Sequence, residues 1–131
     1  MTARHCQWGI AAIFWVLGGW ALLAPAHVMH VVFTPQYQSD ELLPLMLMSC
    51  FGAQACLAAL FATFSRFTAT TFLVFAIALI PFFIFDYWFT RIVPVMNNFG
   101  AIDLVGNIIM LGLSITGWRL AKGKSNNNLP R

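Results

Sequence analysis

The sequence predicts an all-α protein: an antiparallel four-helix transmembrane bundle with both termini cytoplasmic. Three observations carry this expectation. The 131 residues are 60% hydrophobic and only 8% charged, against about 25% charged in ordinary soluble domains. Four apolar runs are long enough to cross a bilayer, whose hydrocarbon is roughly 30 Å thick at 1.5 Å of helix per residue. The charges are sorted by level. Arg4, Arg66, Arg119, Lys122, Lys124 and Arg131 fall on one side of these runs, and only Arg91 falls on the other. Lysine and arginine mark cytoplasmic loops, so the six bases define the inner side. Asp40, Glu41, Asp86 and Asp103 all fall at the opposite level. The formal charge of +3 does not point to nucleic acid. The bases sit at the ends of apolar runs and are not spread through a polar surface.

The first span covers residues 8–24, preceded by Arg4 and His5. Its Gly18-Gly19 pair allows close approach of another helix. A competing reading takes this stretch as a signal peptide, with Ala24-Pro25-Ala26 as an A-x-A cleavage site. The apolar core exceeds the ~7–15 residues usual there. A linker over residues 25–41 holds Pro25, Pro35 and the run QYQSDE, and its HVMHVVF part is apolar enough to lie along the interface. The second span is 42–64. Ser39 or Asp40 can cap it, Glu41 sits in its first turn, and Pro44 is tolerated there. Ser65, Arg66 and Phe67 leave so short a link that the next span must return antiparallel. The third span is 68–88, and Pro81 should kink it by removing a backbone hydrogen bond. Pro94 breaks the outer loop that follows. The fourth span is 100–120, with Asn98 as its cap and Asp103 near the positive end of the helix dipole. Residues 122–131 read as a polar, disordered cytoplasmic tail. No internal repeat is evident. Cys6, Cys50 and Cys56 fit no zinc or redox spacing and read as small buried hydrophobes.

Chemistry-bearing residues concentrate between 85 and 107. Asp86 lies about 27 Å along its helix, near the outer interface. Tyr87 and Trp88 beside it have the character of an aromatic belt. Asp86 is therefore either an exposed interfacial acid or a member, with Arg91 and Asp103, of a polar cluster at the mouth of a cavity. Arg91 would then be the counter-ion. Asn107 lies one turn below Asp103, and Asp103, Gly106, Asn107 and Met110 share one helical face. Gln54 lies near the bilayer centre and shares a face of its span with Cys50. Amides at such depth should turn inward, either as glue between helices or as a polar lining. The candidate ligand-binding set is Gln54, Asp86, Arg91, Asp103 and Asn107, with Gln54 as the floor. His27 and His30 form H-x-x-H and are candidate metal ligands together with Asp86, Asp103 or Glu41. No second histidine-bearing segment completes a bis-histidine haem site. Met29, Met46 and Met48 suit packing better than copper. The chain lacks G-x-S-x-G and a glycine-rich phosphate loop. Any acid–base chemistry would fall to His27, Asp86 and Asp103.

The layout resembles the DoxX-like group of small bacterial membrane proteins. The resemblance rests on four short spans, a long first outer loop, the stretch GAQACLAALFATFSRF with its basic turn, and an acid ending the third span. It implies the bacterial inner (cytoplasmic) membrane and a redox subunit working near quinone. Where that group tends to carry a glutamate, this chain has Gln54. The sterol-isomerase and sigma-2-like group, also four-helix bundles with inward acids, binds apolar ligands. Three functions follow as expectations. One is an accessory protein, or a binder of a small apolar molecule in an outward-facing pocket. The second is an oxidoreductase subunit of DoxX type. The third is an intramembrane enzyme or metal site using His27, Asp86 and Asp103. The bilayer, a membrane-protein partner or a second copy of the chain are the expected partners.

Overall fold

The computed structural model describes residues 2–127, with side chains as far as Gly123. Among these residues the chain forms six α-helices. Helix α1 (Ala3–Leu23) starts well before residue 8. Polar residues hold this first turn. The Thr2 hydroxyl lies 2.6 Å from His5 Nδ1, and the Arg4 guanidinium stacks 5.2 Å from the Trp8 ring centre. Pro25 cannot extend the hydrogen-bond ladder of α1, so the chain breaks at Ala24 and restarts as α2 (Pro25–Val32) with proline in its first turn.

Helix α3 (Leu42–Phe64) matches the expected second span. Its start is held differently from expectation. Glu41 occupies the cap position without a side-chain bond, Ser39 Oγ accepts from the Glu41 amide at 3.2 Å, and Asp40 turns away to His30. The third span is three pieces: α4 (Ala69–Ala78), α5 (Ile80–Tyr87) and a wide π turn over Trp88–Ile92. Thr68 caps α4 by accepting from the Thr71 amide at 3.2 Å. Pro81 has no N–H, and the break falls just ahead of it, at Leu79. A 3-10 turn (Asn98–Gly100) leads into α6 (Ala101–Asn127). The cap is Asn97, not Asn98. Its Oδ1 accepts from the amides of Phe99 at 2.8 Å and Gly100 at 3.3 Å. Helix α6 continues to Asn127, so part of the expected tail is helical. Residues 128–131 lie outside the described part. Among the described residues four stretches are long and apolar enough to cross a membrane: Ala3–Leu23, Leu42–Phe64, Ala69–Ile92 and Asn98–Gly123.

Helix α1 packs against both α3 and α6, and α4 packs on α6. Glycine sets the closest contact. A Cβ at Gly52 of α3 would meet the Leu22 backbone nitrogen and stand 2.7 Å from the Gly18 carbonyl oxygen. The core cluster is Cys6, Ile10, Phe72, Leu79 and Met110. Gly117 clears space for the Phe72 ring, since a Cβ there would stand 2.5 Å from that ring. At the end of the molecule bearing Arg4 and Arg66, Gln7 acts as a clamp. It is buried, its Nε2 donates to the carbonyls of Ala62 at 2.7 Å and Ser65 at 2.8 Å, and its Oε1 accepts from the Phe67 amide. The carbonyls at the end of α3, which the helix itself cannot satisfy, thereby gain a partner.

The opposite, acidic end is closed by two loops stitched together. Phe33 and Met96 form an isolated antiparallel bridge. The Thr34 amide donates to Val95 O, and the Asn97 amide to Val32 O, each at 2.9 Å. Asn97 Nδ2 also donates to Val31 O at 2.8 Å and Phe33 O at 3.2 Å. One asparagine thus caps the approach to α6 and ties it to the end of α2.

Candidate functional site

Beneath that stitched roof lies a cavity of about 240 Å³. Trp20 and Ala21 of α1, Val28 of α2 and Met48 of α3 supply its walls, and Met96 of the roof lines it from above. Asp103, on the first turn of α6, is its single ionisable lining residue among the described residues. A second cavity of about 60 Å³ sits between Phe14, Phe75 and Met110 and is touched by Asn107.

A polar trio stands between the two spaces. Asn107 Nδ2 donates to Asp86 Oδ2 at 3.0 Å and to Asp103 Oδ2 at 3.4 Å. Asp86 is 3% exposed and Asn107 2%. Asp86 comes from α5. Asp103 and Asn107 are four residues apart on α6, so one helix presents both to the same neighbour. The anticipated face of α6 is the inward one: Gly106, Asn107 and Met110 are buried and Asp103 is half-buried. Two carboxyl groups meet one amide there. The amide supplies two hydrogens and the acids offer far more acceptor positions.

Two members of the anticipated set are placed elsewhere. Arg91 is exposed on the π turn, and the single ion pair among the described residues joins His30 to Asp40. The wide turn carries Arg91 past the acids while Asp86, at the end of α5, stays inside. Gln54 is exposed, not the floor of the cavity. Glycine and alanine decide this outcome. Gly52, Ala59 and Ala62 are the buried residues of α3, and the close approach at Gly52 turns the Cys50–Gln54 face outward. Cys50 is exposed and Cys56 half-buried; Cys6 alone is fully buried.

The histidines serve separate contacts. His27 Nδ1 accepts from Trp20 Nε1 at 2.9 Å, which places the proton of neutral His27 on Nε2 and fixes the indole against the cavity. His30 Nε2 lies 2.9 Å from Asp40 Oδ1, and its Nδ1 3.1 Å from Gln38 Oε1. The hydrogen bond to Asp40, followed by that to Gln38 and the Asp40 charge, raises the His30 pKa above its ordinary 6.5. Among the described residues no three His, Cys, Asp or Glu side chains gather as metal ligands.

Gln7, Trp20 and Asn97 are structurally decisive and were not anticipated. An amide immediately ahead of the first apolar run was the available signal for Gln7. The Asn-Asn pair before α6 was the signal for Asn97. Compared with known proteins, the chain matches no family model, no curated protein and no solved structure.

Proposed function

We propose that the protein is a small multi-pass membrane protein that binds one small apolar molecule in an outward-facing pocket. The molecule carries a hydrogen-bond donor that meets Asp103. A single observation carries this reading: an apolar cavity whose one ionisable wall residue among the described residues, Asp103, is joined through Asn107 to the buried Asp86. Ligand sites combine apolar walls with a few placed polar groups in this way. The volume, about 240 Å³, is below the ~300–1,000 Å³ of drug-sized sites, so the ligand is small. The helices form an antiparallel four-helix bundle. Supporting contacts run in opposite order along α1 and α3: Gln7 meets Ala62 and Ser65, and Gly18 meets Gly52. The sorted charges favour both termini on the cytoplasmic side, with the cavity beneath the outer loops. The DoxX-like resemblance adds the bacterial inner membrane. A redox subunit of that type would draw on Gln54, which lies away from the cavity.

Native mass spectrometry from mild detergent tests the reading. Wild-type protein should carry one small apolar adduct. Asp103→Leu, which removes the polar anchor, and Met48→Trp, which fills the space, should both lose it. Bare wild-type protein, or an adduct retained in both variants, would overturn the proposal.

A further inference from the structure

Helix α3 presents a second, unassigned feature. Gln54 sits at the middle of Leu42–Phe64, with twelve residues before it and ten after. It is exposed, and its amide makes no hydrogen bond among the described residues. Rests of about 15–18 Å to either helix end put it beyond reach of interfacial water. Along the same face Leu43, Leu47, Leu57 and Phe61 are also exposed, as is Cys50. These six positions follow alternating steps of four and three, the spacing of a helix–helix seam. A single amide in an otherwise apolar seam fixes partner and register at some cost in stability. An amide left bare in hydrocarbon is costly, and interhelical hydrogen bonds are its usual remedy.

We infer that the outer face of α3 is a docking surface for α3 of a second copy of this chain, joined by reciprocal Gln54–Gln54 hydrogen bonds. Two arguments select a second copy. A primary amide carries both donor and acceptor and is its own complement. A two-fold axis normal to the membrane makes an isologous interface and brings every residue to its own depth in the partner, so Gln54 necessarily meets Gln54. The buried small-residue face of α3 is occupied by α1, which leaves this face free. The inference rests on the four-span membrane reading and is independent of the cavity.

Cys50, one turn from Gln54 on that face, supplies the probe. Membranes holding the intact chain are treated with an oxidant or a short thiol-bridging reagent and run without reductant. A band at twice the 14.6 kDa chain mass is expected, and Cys50→Ser should abolish it. Gln54→Leu should weaken dimerisation about tenfold, the scale of one interhelical amide contact in membranes, and Gln54→Asn should largely restore it. Gln54 has no partner within the described chain, so the leucine variant leaves the monomer fold intact. A chain that remains monomeric, a band of another mass, a band that survives Cys50→Ser, or a dimer indifferent to Gln54→Leu would overturn the dimer. Alkaline carbonate extraction separates the two failures. A monomer retained in the membrane sinks only the dimer, whereas a chain released by carbonate sinks the membrane reading itself.

Discussion

Asn107 is the residue on which the polar trio depends. Its amide is the donor shared by Asp86 and Asp103. Asn107→Ala removes the amide donor from the buried Asp86 carboxyl, and hydrogen bonds to charged groups contribute about 1.5–3 kcal/mol each. We expect thermal unfolding in detergent to reveal a loss of about 2–3 kcal/mol. In an Asp86→Asn, Asp103→Asn background the same change should cost clearly less, because the carboxyls it served are gone. Equal losses in both backgrounds would mean that Asn107 acts by packing alone. His30 gives a second prediction. Its pKa is raised by the bond to Asp40, so the contact is complete below the ordinary 6.5 and fades as pH rises through the higher folded value. In Asp40→Ala the ring titration followed by NMR should shift downward; an unchanged midpoint would refute the assigned cause. The inward placement of Asp103 and Asn107 was legible because glycine and polar residues mark one face of α6. Gln54 was misread because depth reports distance from the ends of a helix and says nothing about its face. Arg91 was misread because charge proximity in sequence does not reveal a π turn that carries the side chain outward.

The α1–α3 contact depends on two glycines rather than on large side chains. At Gly52 an added Cβ meets backbone, the Leu22 nitrogen and the Gly18 oxygen, and backbone inside a helix cannot step aside. Gly52→Ala should therefore separate the helices and cost about 1–3 kcal/mol, as overpacking does. Gly19 is the internal control. A Cβ there meets nothing within 4 Å, and Gly19→Ala should leave the melting temperature essentially unchanged or raise it slightly, alanine being the better helix former. Equal effects at the two positions would dismiss the close-packing account. Element existence was plain in the sequence, because uninterrupted apolar length is a strong signal. Boundaries were less so. Helix α1 reaches back to Ala3 because Gln7 finds partners on α3, a long-range fact invisible in local composition. The cap of the last span moved from Asn98 to Asn97 for the same kind of reason, since Asn97 also binds the end of α2. The stitched roof over the cavity had no local signal at all. Its pairing joins residues about sixty positions apart, near Thr34 and Val95.

At the scale of the molecule, polarity is divided between two ends. Arg4 and Arg66 lie at the end clamped by Gln7, and the acids lie at the end closed by the loops of Phe33 and Met96. Side chains such as Leu23, Leu42 and Phe64 remain more than 80% exposed. Apolar surface on this scale exceeds what a soluble monomer leaves in water, and lipid is the solvent that accommodates it. On the proposed topology, the bias of lysine and arginine makes the Arg4 and Arg66 end the cytoplasmic one. Gln36, in the roof loop, and Lys122, near the end of α6, are both exposed and are separated by three of the four spans. An odd number of crossings puts them on opposite sides. Gln36→Cys should react with a membrane-impermeant maleimide on intact cells. Lys122→Cys should react only after the membrane is opened. The native cysteines provide the baseline, since Cys6 is buried and Cys50 and Cys56 lie within a span, where a membrane-impermeant reagent does not reach. The reverse pattern would invert the orientation and place the cavity on the cytoplasmic face. Labelling of both positions from one side would rule out three crossings between them, and with them the proposed bundle and its outward-facing pocket.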